Sequence, residues 1–193
     1  RRLTPTSTLD NTFTLHLPSK KDAKFDNVSN AYEFQKLRYL KNIKLTSDQF
    51  DTAVSYFTDT DAFEVKKQCG RSGFNSLHLA CNLDTPLTLD VDEWHKHNVS
   101  ILFDLYNKAC VRNANLRYTI LKTVFPSFDE ENGDFIDEEP TLLLFGSRDS
   151  FLGCRFDYDE YEHGVLSGRN TLGILLTEIG MILNNKLSSL NIS

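Results

Sequence analysis

A glycine–serine pair, Gly146-Ser147, and two acids, Asp157 and Asp159, are the residues of this chain whose types and spacing could do chemistry. The pair ends an apolar run, Leu142, Leu143, Leu144 and Phe145, which is short enough for a buried strand. The acids belong to a second run, where Cys154, Phe156 and Tyr158 alternate with Arg155, Asp157 and Asp159. Alternate residues of a strand share a face, so both carboxylates aim to one side as hard oxygen donors of the kind divalent cations take. Two such runs joined by a polar turn at 146–149 read as a β-hairpin. Its first strand is apolar on both faces and reads as central; the second has a charged face and reads as an edge. That plain structural role for Asp157 and Asp159 is the favoured one.

Other groupings fall short on spacing. Asp129, Glu130, Glu131, Asp134, Asp137, Glu138 and Glu139 are seven acids in eleven residues, broken by Asn132-Gly133. A calcium loop of the EF-hand type needs an acid at its first position and glycine at its sixth, and counting back from Gly133 puts Phe128 first. The stretch 127–139 therefore reads as a solvated acidic loop. His95 and His97 would chelate a metal only from an extended chain with a third ligand, and beside a helix start they read as surface. Cys69, Cys81, Cys110 and Cys154 include no C-x-x-C pair. There is no G-x-S-x-G elbow, no dinucleotide-binding G-x-G-x-x-G and no Walker A loop.

The elements that position these residues follow from periodicity. Residues 1–10, rich in Thr, Ser and Pro, read as a flexible lead-in, and 11–190 as a single domain. A half-buried strand is expected over 11–17, with Phe13, Leu15 and Leu17 inward, followed by a basic loop over 19–24. Asn30 and Glu33 resemble a capping box for a helix over 31–45, with Phe34, Leu37, Leu40 and Ile43 inside and Lys36 outside. Ser47 caps a second helix over 48–57. Residues 63–67 fit strand and helix equally. Alternation predicts strands over 76–83 and 87–91, Asn98 caps a helix over 98–111, and β-branching favours strand over 118–125. A last helix spans 171–187 with Leu172, Leu175, Leu176, Ile179, Ile182, Leu183 and Leu187 in one stripe, interrupted by Gly173 and Gly180.

Two stretches resemble known families. An apolar strand ending in Gly146-Ser147, followed by Asp157-Tyr158-Asp159, resembles nucleotidyltransferases of the polymerase-β type. That resemblance implies that the Gly-Ser turn holds a nucleoside triphosphate and that Asp157 and Asp159 bind Mg²⁺. The chain departs from the pattern in placing Glu160 where the family has an apolar residue, and in resuming a strand where the family has a helix. Gly73-Phe74-Asn75-Ser76-Leu77-His78-Leu79-Ala80 is similar to the ankyrin-repeat helix signature, which would imply a helical array. The repeat period of roughly 33 residues that defines such arrays is missing.

Bulk composition bounds the rest. At 193 residues the chain can bury a core without metals or disulfides. A formal charge of −6 with 25% charged residues argues against non-specific nucleic-acid binding. No apolar run approaches a membrane span. The sequence starts at Arg1 without Met and so reads as a fragment or processed product. Four cysteines and the sequons at Asn27, Asn98 and Asn191 fit secretion, but apolar placement of Cys110 and Cys154 favours an intracellular chain, in cytoplasm or nucleus. The expected fold is α+β, one antiparallel sheet packed against several amphipathic helices. The expected role is a non-catalytic interaction module, scaffold or adaptor, in a larger protein or complex, with no cofactor or resident metal. Its protein partner would meet the acidic loop or the sheet edge carrying Arg155, Asp157 and Asp159. The alternatives are the Mg²⁺-dependent nucleotidyltransferase centred on Ser147, Asp157 and Asp159, and a secreted disulfide-linked glycoprotein.

Overall fold

The computed structural model describes residues 3, 5, 8–19, 21–69, 78, 84, 86–127, 139–145, 151–155 and 167–191. The chain is α+β, with short antiparallel strand pairs among several helices. Its contacts gather into two compact units, 2–113 and 114–193. No helix among the described residues is long and apolar enough to cross a membrane.

In the first unit, β1 (Phe13–His16) pairs antiparallel with β2 (Asp22–Phe25), Phe13 opposite Phe25 and Leu15 opposite Ala23. All four side chains are buried, as period-two alternation demands of a one-sided ladder. The stretch expected to be a basic loop thus supplies β2, because Ala23 and Phe25 complete the apolar face. The lead-in is tied down in part: Leu9 N–H donates to the Asp26 carbonyl at 2.6 Å, and Ser29 N–H to the Pro5 carbonyl at 2.8 Å.

α1 (Val28–Gln35) is capped by Asn27, whose side chain accepts from Asn30 N–H, not by Asn30 itself. Asn30 is buried inside the helix and its amide donates to the carbonyls of Phe57 and Thr60, capping the next helix's C-terminus. The helix expected over 31–45 stops early, passing into a 3₁₀ turn at Lys36–Arg38. Beyond it the backbone finds better partners: Lys41 N–H donates to Thr88, Asp90 N–H donates to Tyr39, and Leu40 bridges Leu89. α2 (Ser47–Asp59) starts one residue earlier than expected, from a reciprocal capping box of Thr46 and Gln49. Residues 63–67 fall within α3 (Ala62–Cys69).

α4 (Val91–Arg112) begins seven residues before the expected Asn98 cap, with Asp90 accepting from Glu93 N–H at its start. Asn98 is consequently buried in mid-helix and Asn27 is a buried cap, so neither sequon presents its amide to a glycosyltransferase in the folded chain. The core is an aromatic column. Phe34 meets Phe25, Phe50 and Phe57 at centroid distances of 5.6, 6.0 and 5.5 Å, in tilted and edge-on arrangements. Cys69 and Cys110 are both buried. Of the strand expected over 76–83, only His78 is described, and it is helical; the rest of the ankyrin-like stretch lies outside the described residues.

In the second unit, α5 (Ala114–Val124) replaces the expected strand over 118–125. Thr119 and Thr123 turn their hydroxyls back to the carbonyls of Asn115 and Thr119, at 2.6 and 2.5 Å, which reconciles β-branched residues with a helix. Packing against α6 (Thr171–Asn191) overrides their strand preference. A Cβ at Gly180 would come within 2.7 Å of Val124 Cγ2, so the glycine allows the two helices to approach. Leu172, Leu175, Leu176 and Ile179 are buried as expected, while Leu187 is 39% exposed. β3 (Cys154–Arg155) pairs antiparallel with β4 (Ser167–Gly168), not with 142–145 as the hairpin reading required.

Candidate interaction edge

The apolar run 142–145 is not a buried central strand: Leu142 is 57% and Leu144 42% exposed. What holds it is the N-terminal end of α6. Asn170 Nδ2 donates to the Leu143 carbonyl at 2.8 Å, and its Oδ1 accepts from Phe145 N–H at 2.8 Å. One side-chain amide thereby does what a residue of a neighbouring strand would do. Thr177 Oγ1 accepts from Leu143 N–H at 3.0 Å and donates to the Gly173 carbonyl at 2.9 Å. A Cβ at Gly173 would stand 2.1 Å from the Leu143 carbonyl oxygen, so only glycine leaves room for the segment.

Asn170 itself sits at φ 48°, the left-handed region that asparagine tolerates better than most residues. Its conformation frees the side chain for the clamp while its carbonyl still accepts from Ile174 N–H at 3.0 Å. The first N–H groups of α6 are capped by backbone instead: Asn170, Thr171 and Leu172 donate to the carbonyls of Gly153, Phe151 and Leu152. The same amide device recurs in the first unit, where Asn42 donates to the Pro86 carbonyl and accepts from Thr88 N–H at 2.7 and 3.0 Å.

The clamp uses one edge of the segment. Leu143 and Phe145 turn toward α6, so in an extended chain Leu142 and Leu144 turn their N–H and C=O groups the other way. Among the described residues those groups have no hydrogen-bond partner. Exposure alternates in step, Leu142 and Leu144 outward and Leu143 and Phe145 half-buried. One side of the segment is thus bonded to Asn170 and Thr177, while Leu142 and Leu144 are exposed.

A second cluster is closed. The Lys36 ammonium, expected outside, donates to the Glu33 carboxylate at 2.5 Å and the Cys69 carbonyl at 3.3 Å. It lies 5.8 and 5.9 Å from the ring centroids of Tyr32 and Trp94. A lysine already ion-paired and sandwiched in this way cements α1 to α3 and α4. His97 stacks on Tyr39 at 5.3 Å and pairs with Glu93 at 3.2 Å. Hydrogen bonds from Lys96 and then His97 hold the Glu93 carboxyl below its usual range. Among the described residues no group of His, Cys, Asp and Glu could hold a metal ion.

Of the residues singled out in the sequence, Ser147, Asp157, Asp159, Asp129, Glu130, Glu131, Asp134, Asp137 and Glu138 lie outside the described residues. Glu139 is exposed, and Arg155 is placed by its backbone in β3. The open edge was half legible: an apolar run with strand character is visible in the sequence, whereas its exposure depends on Asn170, twenty-five residues from Phe145. The sequence sign of the clamp is Gly173, which interrupts the apolar stripe of the last helix. Compared with known proteins, the chain matches no family model, no curated protein and no solved structure.

Proposed function

We propose that this chain is a non-catalytic interaction module that receives an extended segment of a protein partner along the open edge at Leu142 and Leu144. The observation that carries this reading is the asymmetry of 141–145: Leu143 and Phe145 are bonded to Asn170 and Thr177, whereas Leu142 and Leu144 are exposed and their backbone groups have no hydrogen-bond partner among the described residues. Exposed strand edges pair readily with extended peptide, which is why proteins commonly cover or charge them. Here the two outward residues are leucines, not lysines or prolines. Strand addition supplies affinity through main-chain bonds and specificity through alternate side chains. Covering a leucine is worth about 1.5–3 kcal/mol at full burial, enough for two side chains to matter. Cooperation with a partner, not chemistry, is the use such an edge serves.

The test is binding of a short uncharged peptide of alternating Val and Thr, followed by amide hydrogen exchange. Binding should slow exchange at Leu142 and Leu144 while Leu143 and Phe145, already bonded, change little. The same peptide N-methylated on the amides that face the edge should not bind. Absence of protection at Leu142 and Leu144 would remove this reading. Stabilisation by a nucleoside triphosphate with Mg²⁺, lost in Asp157→Asn, would move the function to Asp157 and Asp159 instead.

A further inference from the structure

Bonding along 140–145 has a period of two. Thr141 N–H donates to the Val124 carbonyl at 2.8 Å, and Leu143 and Phe145 are bonded to Asn170 and Thr177. A residue of an extended chain turns its N–H and C=O to one edge, and its neighbours turn theirs to the other. Thr141, Leu143 and Phe145 therefore share one edge. The N–H and C=O groups of Leu142 and Leu144 belong to the opposite edge and have no hydrogen-bond partner among the described residues. Both side chains are exposed. Pro140, exposed as well, has no N–H and so limits this edge on its N-terminal side.

Resting on the strand-receptor reading, we propose that the occupant of this edge is the same edge of a second copy of this chain, paired antiparallel about a two-fold axis at Leu143. That register sets Leu142 opposite Leu144 of the second copy, and Leu144 opposite Leu142 of the second copy. Two residues opposed in this way in an antiparallel ladder exchange both N–H···O bonds. The two pairs use every unpartnered group of Leu142 and Leu144 in both copies and leave none over. The opposed leucines also meet side by side, the contact that stabilises cross-strand pairs. Moving the axis to Leu142 would set Leu144 opposite Pro140, which lacks a donor, so the register at Leu143 is the better one. A foreign peptide matches the edge only if its own pattern agrees, whereas a second copy matches by symmetry. Since Val124, Asn170 and Thr177 take up the other edge, pairing stops at two copies. So short a segment buries well under the ~800 Å² per partner of a standard interface, which makes the pair weak and reversible. Each copy carries a formal charge of −6, so the copies repel and salt favours the pair.

The experiment is sedimentation equilibrium of the full chain from about 10 µM to about 1 mM, a range suited to a small interface. It is run at about 50 mM and about 500 mM salt, with amide hydrogen exchange at both ends of the concentration range. Dimers should form, more readily at high salt, and exchange at Leu142 and Leu144 should slow about two- to fivefold with concentration. Leu143 and Phe145, already bonded, should change little. Leu142→Lys with Leu144→Lys sets like charges opposite each other and should abolish the pair. Leu142→Lys with Leu144→Glu sets opposite charges at the same positions and should associate about tenfold more tightly than the double-lysine variant, although the latter has the smaller net charge. All these changes fall on exposed side chains, so the melting temperature in dilute solution should stay that of the parent and show that the variants fold.

No dimer at any concentration, with Leu142 and Leu144 protected by the Val-Thr peptide, would overturn the second-copy inference and leave the receptor reading standing. Dimers that give no protection at Leu142 and Leu144, or that the double-lysine variant leaves intact, would overturn it by placing the contact elsewhere. A lysine–glutamate variant no tighter than the double-lysine one would overturn the register at Leu143. Species larger than a dimer would overturn the closed pair. Protection by neither a second copy nor the peptide would remove the receptor reading together with this one.

Discussion

Tyr106 is fully buried, and its hydroxyl has no hydrogen-bond partner among the described residues. Burial, and then the nearby Cys110, push its ionisation above the phenol's ordinary value of 10.0. A buried unpaired hydroxyl costs about 1–3 kcal/mol in desolvation, so Tyr106→Phe should raise stability by about 1 kcal/mol in urea unfolding. The pH dependence has a definite sign. The unfolded phenol releases its proton first, so the stability lent by the neutral buried form is intact below pH 10 and declines above it. The decline is at most about 1.4 kcal/mol per pH unit, and Tyr106→Phe should remove that component. Asn170 offers a second residue-scale test. Asn170→Gly keeps the φ of 48° without strain but deletes the amide clamp, so amide exchange at Phe145 should accelerate at least tenfold while α6 persists. Neither behaviour is visible in the sequence, where Tyr106 is one apolar residue of a helical stripe and Asn170 a turn residue.

At the scale of elements, the segment 141–145 and α5 show how local pattern and tertiary bonding part company. Both were read as strands from apolar and β-branched content. α5 became a helix because Ile120, Leu121 and Val124 share one helical face that is buried. The segment 141–145 kept strand-like bonding without a strand beside it, because two side chains of α6 took the neighbour's place. This makes Gly173 decisive. In an ordinary helix Gly→Ala gains up to about 1 kcal/mol. Gly173→Ala should instead destabilise by about 1–3 kcal/mol, since its Cβ would overlap the Leu143 carbonyl at 2.1 Å and the Asn170 amide. Thermal melting of this variant, with exchange at Leu143, checks the expectation. A stabilised protein would mean that the segment is not docked there. The helices announced by clear caps and stripes, α2 and α6, were legible to within a few residues.

For the whole molecule, the reading of 11–190 as one domain and the gathering of contacts into 2–113 and 114–193 lead to opposite expectations for a fragment. The first unit has its own aromatic column, sheet and four helices among its described residues, a core of the size that supports independent folding. Residues 2–113 expressed alone should therefore unfold cooperatively in urea, with Trp94 fluorescence as the probe. A fragment that stays uncooperative would return the chain to a single folding unit. The sequence alone determined the α+β class, the apolar stripes of the long helices and the acidic stretch at 129–139, because these follow from local periodicity and composition. Tertiary structure decided which caps were used, that 118–124 is helical, and which groups of 141–145 are bonded to Asn170 and Thr177. Those outcomes turn on hydrogen bonds and close approaches between residues far apart in the chain, such as Asn170 with Leu143 and Gly180 with Val124, which no local pattern encodes.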